Sequence, residues 1–178
     1  GPLSSAWTCL VHLGIYALSQ WKPIDRLSMN GSLRLDADEN YGLEISPQFS
    51  ASFTWDKFVL RGSIGKSIRA ADFTERYIST EIPAPLSSGR NLGNPELDAE
   101  RAWSGEIGVD WYPFSSPSIS ISASGFYRDA EDVIDYVLSP ASEIETADNL
   151  SPDGEYLYAR NIAEVQTKGI DVQAKYKQ

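Results

Sequence analysis

Residues 117–127 read PSISISASGFY. Side chains alternate across an extended chain, so Ile119, Ile121, Ala123, Gly125 and Tyr127 share one face and Ser118, Ser120, Ser122 and Ser124 the other. Two environments suit such a ribbon. A soluble sandwich buries the apolar face against a second sheet, whereas a membrane barrel turns it to lipid and leaves the serines inside.

Other segments repeat the pattern. In LEISPQFSASFTW (43–55), Leu43, Ile45, Phe49, Phe53 and Trp55 oppose Glu44, Ser46, Gln48, Ser50 and Thr54; FVLRGSIGKSIR, LSMNGSLRLDA and WSGEIGVDW alternate likewise. VQTKGIDVQAKY (165–176) also alternates, with Val165 out of phase, and a bulge near Gly169 is expected to absorb the slip. Residues 10–20 read as extended, with both faces mixed. The pattern predicts about seven strands and no convincing helix.

The connections separate the two environments. KPIDR (22–26), DK (56–57) and YPFSSPS (112–118) are tight, while 70–100 and 139–155 are long and polar. Short turns on one side and long loops on the other fit a barrel with periplasmic turns and external loops. Trp21, Trp55, Phe58, Trp111, Tyr112 and Phe114 gather beside the short turns, where an interfacial aromatic girdle sits. A 13-residue run from Leu43 to Trp55, at about 3.3 Å per residue and a tilt near 45°, climbs roughly 30 Å, enough to cross a hydrocarbon core. Lys66 is the charge on an otherwise apolar face; it would cost roughly 2–4 kcal/mol at the midplane and little at the outer rim, where it snorkels or meets lipopolysaccharide phosphate. The fold expected is therefore all-β: an antiparallel, up-and-down transmembrane β-barrel segment.

Composition removes other classes. Fifteen Lys and Arg against 25 Asp and Glu give a net charge of −10, which repels nucleic acid. One cysteine, Cys9, and one histidine, His12, cannot build a Cys/His metal centre, and both read as packing residues. There is no apolar run long enough for a transmembrane helix and no visible signal peptide. A mean hydropathy of −0.30 is compatible with barrel strands, which are apolar on one face only. No Ser/His/Asp, Walker or Rossmann pattern is present, so neither catalysis nor a cofactor is expected. DADEN (36–40) has calcium-loop spacing, but Tyr41 and Pro47 stand where Gly and Glu are needed. RDAEDVIDY (128–136) gathers four carboxylates and reads as a solvated loop rather than a glycosidase pair.

Four stretches, LRGSIGKSIRAADFTERY, GRNLGNPELDAERAWSGEIGVDWYP, SISASGFYRDAEDVIDYV and YARNIAEVQTKGIDVQAKY, occur in this order. Together they resemble the C-terminal half of the barrel of TonB-dependent outer-membrane receptors, over most of residues 14–178. The most specific pieces are Asn94-Pro95-x-Leu97-x-x-Glu100, Arg69-Ala70 followed by Phe73-x-Glu75-x-Tyr77, and Asn161 eight residues before Gly169. Ala71 stands where the family usually has Pro.

The resemblance implies part of a 22-stranded barrel whose plug, earlier strands and last strands lie outside residues 1–178. It further implies a bacterial outer-membrane location and import of a scarce solute (siderophore, cobalamin or glycan) with energy from the TonB complex acting on the plug. Lipid and lipopolysaccharide are the surrounding partners. Arg34, Arg61, Arg69, Glu44, Glu106 and Asp110 are expected to face lumen or plug, and Glu75, Arg76, Tyr77, Arg90 and Asn91, in the long external segment, to offer charge, an aromatic face and amides to the solute. The competing readings are a soluble secreted β-sandwich that binds carbohydrate and a passive porin.

Overall fold

The computed structural model describes residues 12–83, 85–114 and 119–176. Strands β1 (His12–Ile24), β2 (Leu27–Asp38), β3 (Gly42–Trp55), β4 (Phe58–Arg69), β6 (Glu100–Trp111), β7 (Ile119–Pro140) and β8 (Glu155–Tyr176) form an antiparallel meander. Between β4 and β6 lie the helix α1 (Phe73–Tyr77) and the two-residue strand β5 (Asn91–Leu92), which adds in parallel to β8. The single sheet has the order β1-β2-β3-β4-β6-β7-β8-β5. Seven long strands match the number expected from the sequence.

Register carries the alternation across strands. Row by row, Trp55 faces Phe58, Phe58 faces Trp111, and Trp111 faces Ile121; above them Leu60, Val109, Ala123 and Val172 line up. Apolar residues therefore merge into one band, and Ser52, Arg61, Gly108 and Ser124 continue the opposite face. Among the described residues no second sheet covers the band: Ile107 is 74% and Ile170 82% exposed. A sandwich would bury them. Phe58 and Trp111 stack at 6.2 Å in the row beside the short turns. The DK turn is tight because Asp56 takes a left-handed φ of 51°; part of YPFSSPS, like Cys9, lies outside the described residues.

Register also settles β1. Ile15 faces Leu35 and Trp21 faces Met29, so both join the band, while Tyr16 and Leu18 fall with the serines and mix that strand's faces.

Two expectations fail at the same place. β7 and β8 are 22 residues each, so RDAEDVIDY is strand rather than loop. The register slips between Ala130 and Ile134, opposite Val165 to Asn161, and not at Gly169. Asp132, at φ 56°, forms this bulge. Gly169 answers a different need: a methyl group there would stand 2.6 Å from the Phe126 ring. At about 3.3 Å per residue and a tilt near 45°, the long pair rises roughly 50 Å, about 20 Å beyond the other strands.

Candidate functional site

Above the band, the connections fold into a packed module. Its first core joins Leu86, Leu92, Ile144, Tyr156 and Tyr158; its second joins Leu97, Ile134 and Ala159, with Ala71 and Tyr136 against it. These are the buried apolar clusters found among the described residues. Tyr156, fully buried, donates its hydroxyl to the Leu86 carbonyl (2.7 Å) and accepts from the Ser151 N–H (2.9 Å). Asn149 donates to the carbonyls of Ser79 and Ile82.

The three sequence motifs meet at the base of this module. Arg69, ending β4, donates to both oxygens of Glu75 (3.0 and 3.1 Å) and to Glu100 Oε1 (2.6 Å), which also accepts from the Ile134 N–H (2.9 Å). Asp72 caps α1 by accepting from the Glu75 N–H, and Glu75 returns a bond to the Asp72 N–H. Arg76 is only 3% exposed, its guanidinium donating to the carbonyls of Pro95 (2.6 Å) and Leu97 (2.7 Å). Gly93 lies against the end of α1: a methyl group there would stand 2.5 Å from the Arg76 carbonyl carbon. Asn161 spans the bulge, donating to the carbonyls of Asp98 and Asp132 and accepting from the Asp98 N–H. The Arg69 guanidinium beside Glu100 holds that carboxyl below its ordinary range, against burial that pushes it up. Burial pushes the Tyr136 phenol up, and the charges of Glu75 and Asp72 add to it.

This geometry divides the residues expected to meet the solute. Glu75 and Arg76 are engaged within the module, Glu75 by Arg69 and the buried Arg76 by the Pro95 and Leu97 carbonyls. Tyr77 is half-buried, its ring 5.0 Å from that of Phe73. Arg90 and Asn91 are exposed. Arg34, Arg61, Arg69, Glu106 and Asp110 all lie on the serine-bearing face, Arg61 pairing with Asp110 at 3.0 Å and Arg34 with Asp36 at 2.7 Å.

Two groupings escape the sequence. On the serine face, His12 Nε2 lies 3.0 Å from Asp36 and its Nδ1 3.1 Å from the Tyr41 hydroxyl. With Tyr16, Arg34 and the buried, unpartnered hydroxyl of Ser46 they line a wall cavity of about 620 Å³. Asp36 and Asp38, the first oxygens of the calcium-like spacing, are thereby turned to Arg34, His12 and Asn40. The second grouping is a chain of charges: Lys66 and Arg101 both bind Glu44 (2.9 and 2.7 Å), and Arg101 continues to Asp132 (2.6 Å). Lys66 thus neither snorkels nor stands free for phosphate. Glu44 reaches it because the β3–β4 ladder ends at Gln48 and Gly65, one residue short of Pro47, which has no N–H. Parity alone puts Glu44 and Lys66 on opposite faces.

One sheet with an apolar band, an aromatic row beside short turns, a charged serine face and a packed module at the opposite end defines a segment of an outer-membrane-type β-barrel. Residues 6–177 match the family described as TonB dependent receptor-like, beta-barrel, and the chain belongs to that family. Family members are receptors and transporters rather than enzymes. Solved structures share the fold. The siderophore receptor PirA from Pseudomonas aeruginosa superposes with a TM-score of 0.72 at 19% identity, over 90% of this chain and 30% of that one. A point mutant of the ferric enterobactin receptor PfeA of the same organism, in complex with enterobactin, gives 0.69 at 17% identity over 90% and 24%, and the copper transporter OprC gives 0.62 at 17% over 93% and 26%. The chain thus spans about a quarter to a third of the receptors it matches. No curated protein matches it in sequence.

Proposed function

We propose that this chain is the later part of the barrel of an active-transport receptor in a bacterial outer membrane, which captures a scarce solute outside the cell and imports it with TonB-derived energy. The plug and the other strands belong to the rest of that receptor. The observation that carries the reading is the two-sided sheet: lipid-compatible on one face, charged and serine-lined on the other, and roofed at one end by the packed module. Membership of the family and the likeness to siderophore and copper receptors support it.

The solute is an iron chelate or a comparably large, oxygen-rich molecule such as a corrinoid or glycan. Arg90 and Asn91 meet it from the module, and Tyr16, Arg34 and Tyr41 from the wall cavity. The remaining lumen charges hold plug or water, which spares them the desolvation a lipid-facing charge suffers. The test is uptake by cells carrying the complete receptor, supplied in turn with labelled ferric chelates, cobalamin and oligosaccharides. One class should accumulate, with accumulation abolished by a protonophore or by loss of TonB. Uptake of all three that survives energy depletion would instead indicate a passive porin.

A further inference from the structure

The wall of the sheet is not continuous. The β2–β3 ladder runs up to Asp38 and Gly42 and the β4–β6 ladder to Arg69 and Glu100, but the β3–β4 ladder between them stops at Gln48 and Gly65. Above that row no ladder joins residues 42–47 to 66–69, which leaves a seam of roughly 20 Å along β3 at about 3.3 Å per residue. Pro47 starts the seam by withholding an N–H. Gly65 marks its foot: a methyl group there would stand 2.7 Å from Gln48 Cγ, so glycine makes room for that side chain.

The seam passes through the wall. Glu44 lies on the serine face, in register with Asp36, whereas Lys66 and Arg101 share the band face with Trp103, and yet both bind Glu44. The two ion pairs therefore connect the faces. Cavities of about 560 and 620 Å³ meet the seam, and each takes its lining from both faces: Phe49 and Ile64 with Ser32 and Gln48 in the first, Leu33 and Ile68 with Arg34 and Ser46 in the second. The Ser46 hydroxyl is buried there without a partner. Unpaired backbone at membrane depth persists only where it is buried in protein or lines a water-filled cavity.

We propose that the seam is a side port that takes the apolar tail of an amphiphilic solute arriving from the outer leaflet. The tail lies between Phe49, Ile64 and Ile68, the oxygen-rich head reaches Tyr16, Arg34 and Tyr41 in the wall cavity, and the ion pairs of Glu44 latch the port between arrivals. The module roofs the end of the lumen, whereas the port opens beside it onto the lipid band. This inference deepens the transport reading above and rests on it. A resident phospholipid chain is the alternative occupant.

Two measurements on the complete receptor test it. With Cys9 replaced by Ser, Ser46→Cys puts a thiol in the seam. N-dodecylmaleimide carried in the bilayer should label that thiol, and Glu44→Gln should speed labelling about tenfold, the scale of one lost charge-assisted contact. In the uptake assay, a dodecyl tail added to the compound that accumulates should lower its half-saturating concentration about tenfold, the gain from burying about two methylene groups. Ile68→Trp, which fills the seam, should return the ratio of tailed to untailed compound to one. No labelling from the bilayer, no advantage of the tail, or an advantage that survives Ile68→Trp overturns the port; labelling without an advantage means that phospholipid fills the seam. Uptake of no compound, tailed or untailed, sinks the transport reading instead, with labelling still deciding the port. Gel migration of unboiled samples shows separately that each variant holds a folded barrel.

Discussion

The lipid band and the outer module are built from the same residue types and held by opposite means. In the band the large apolar residues stay on the surface and the strands are held by backbone ladders, since lipid is as good a solvent for isoleucine as a core is. In the module Leu86, Leu92, Leu97 and Tyr156 are almost wholly enclosed, and buried groups such as the Tyr156 hydroxyl and the Arg76 guanidinium find carbonyl partners, as in a water-soluble domain, while Asn149 Oδ1 and Arg160 Nε stay unpaired. One chain thus answers two solvents, and the change falls about where Lys66, Arg101 and Glu44 meet.

The same substitution should behave oppositely in the two regions. Gly93→Ala forces a methyl group into the α1 backbone and should destabilise the module by about 3 kcal/mol or more, whereas Gly125→Ala, whose methyl group would meet only the Gly169 carbonyl oxygen at an ordinary 3.9 Å, should change stability by less than about 0.5 kcal/mol. Urea unfolding of the receptor in detergent micelles, followed with a fluorophore on the module and another on the barrel, measures both. Ile107→Arg in the band should cost about 2–4 kcal/mol in refolding into bilayers, and Ser122→Arg, on the opposite face, about 1 kcal/mol or less. Equal costs would erase the distinction between the faces.

Tyr156→Phe keeps the ring and removes the hydroxyl that Leu86 and Ser151 share. A loss of about 1–3 kcal/mol is expected, confined to amide exchange of residues 85–92 and 149–158. The smallest effect is on pH. Glu100 is held below its unfolded pKa by Arg69, so its stabilising contribution is complete above about pH 4.3 and fades as pH falls through the lower folded value. Proteolysis of the module should accelerate on acidification, and Glu100→Gln should flatten that dependence.

Period-two alternation made the band legible from sequence, because one-sided burial is a local property of each strand. The module's chemistry is long-range: Arg76 finds Pro95, Asn161 finds Asp98, and Glu44 finds Arg101 only once the ladders set their register. The motif residues were visible as a resemblance, but not the reason Arg76 and Glu75 face inward. The upper halves of β7 and β8 were hidden by one bulge at Asp132, which breaks parity where the acids read as a loop. Lys66 looked like an exposed rim charge because its partner sits across a ladder that Pro47 leaves open.

The central claim is that Ile119, Ile121, Ala123, Gly125 and Tyr127 touch lipid. With Cys9 replaced by Ser, nitroxide labels placed singly at residues 119–127 of the receptor in bilayers report collisions with oxygen, which concentrates in lipid, and with a water-soluble nickel chelate. Oxygen accessibility should peak at every odd position and the chelate at even ones or nowhere; odd positions shielded from oxygen would contradict the account.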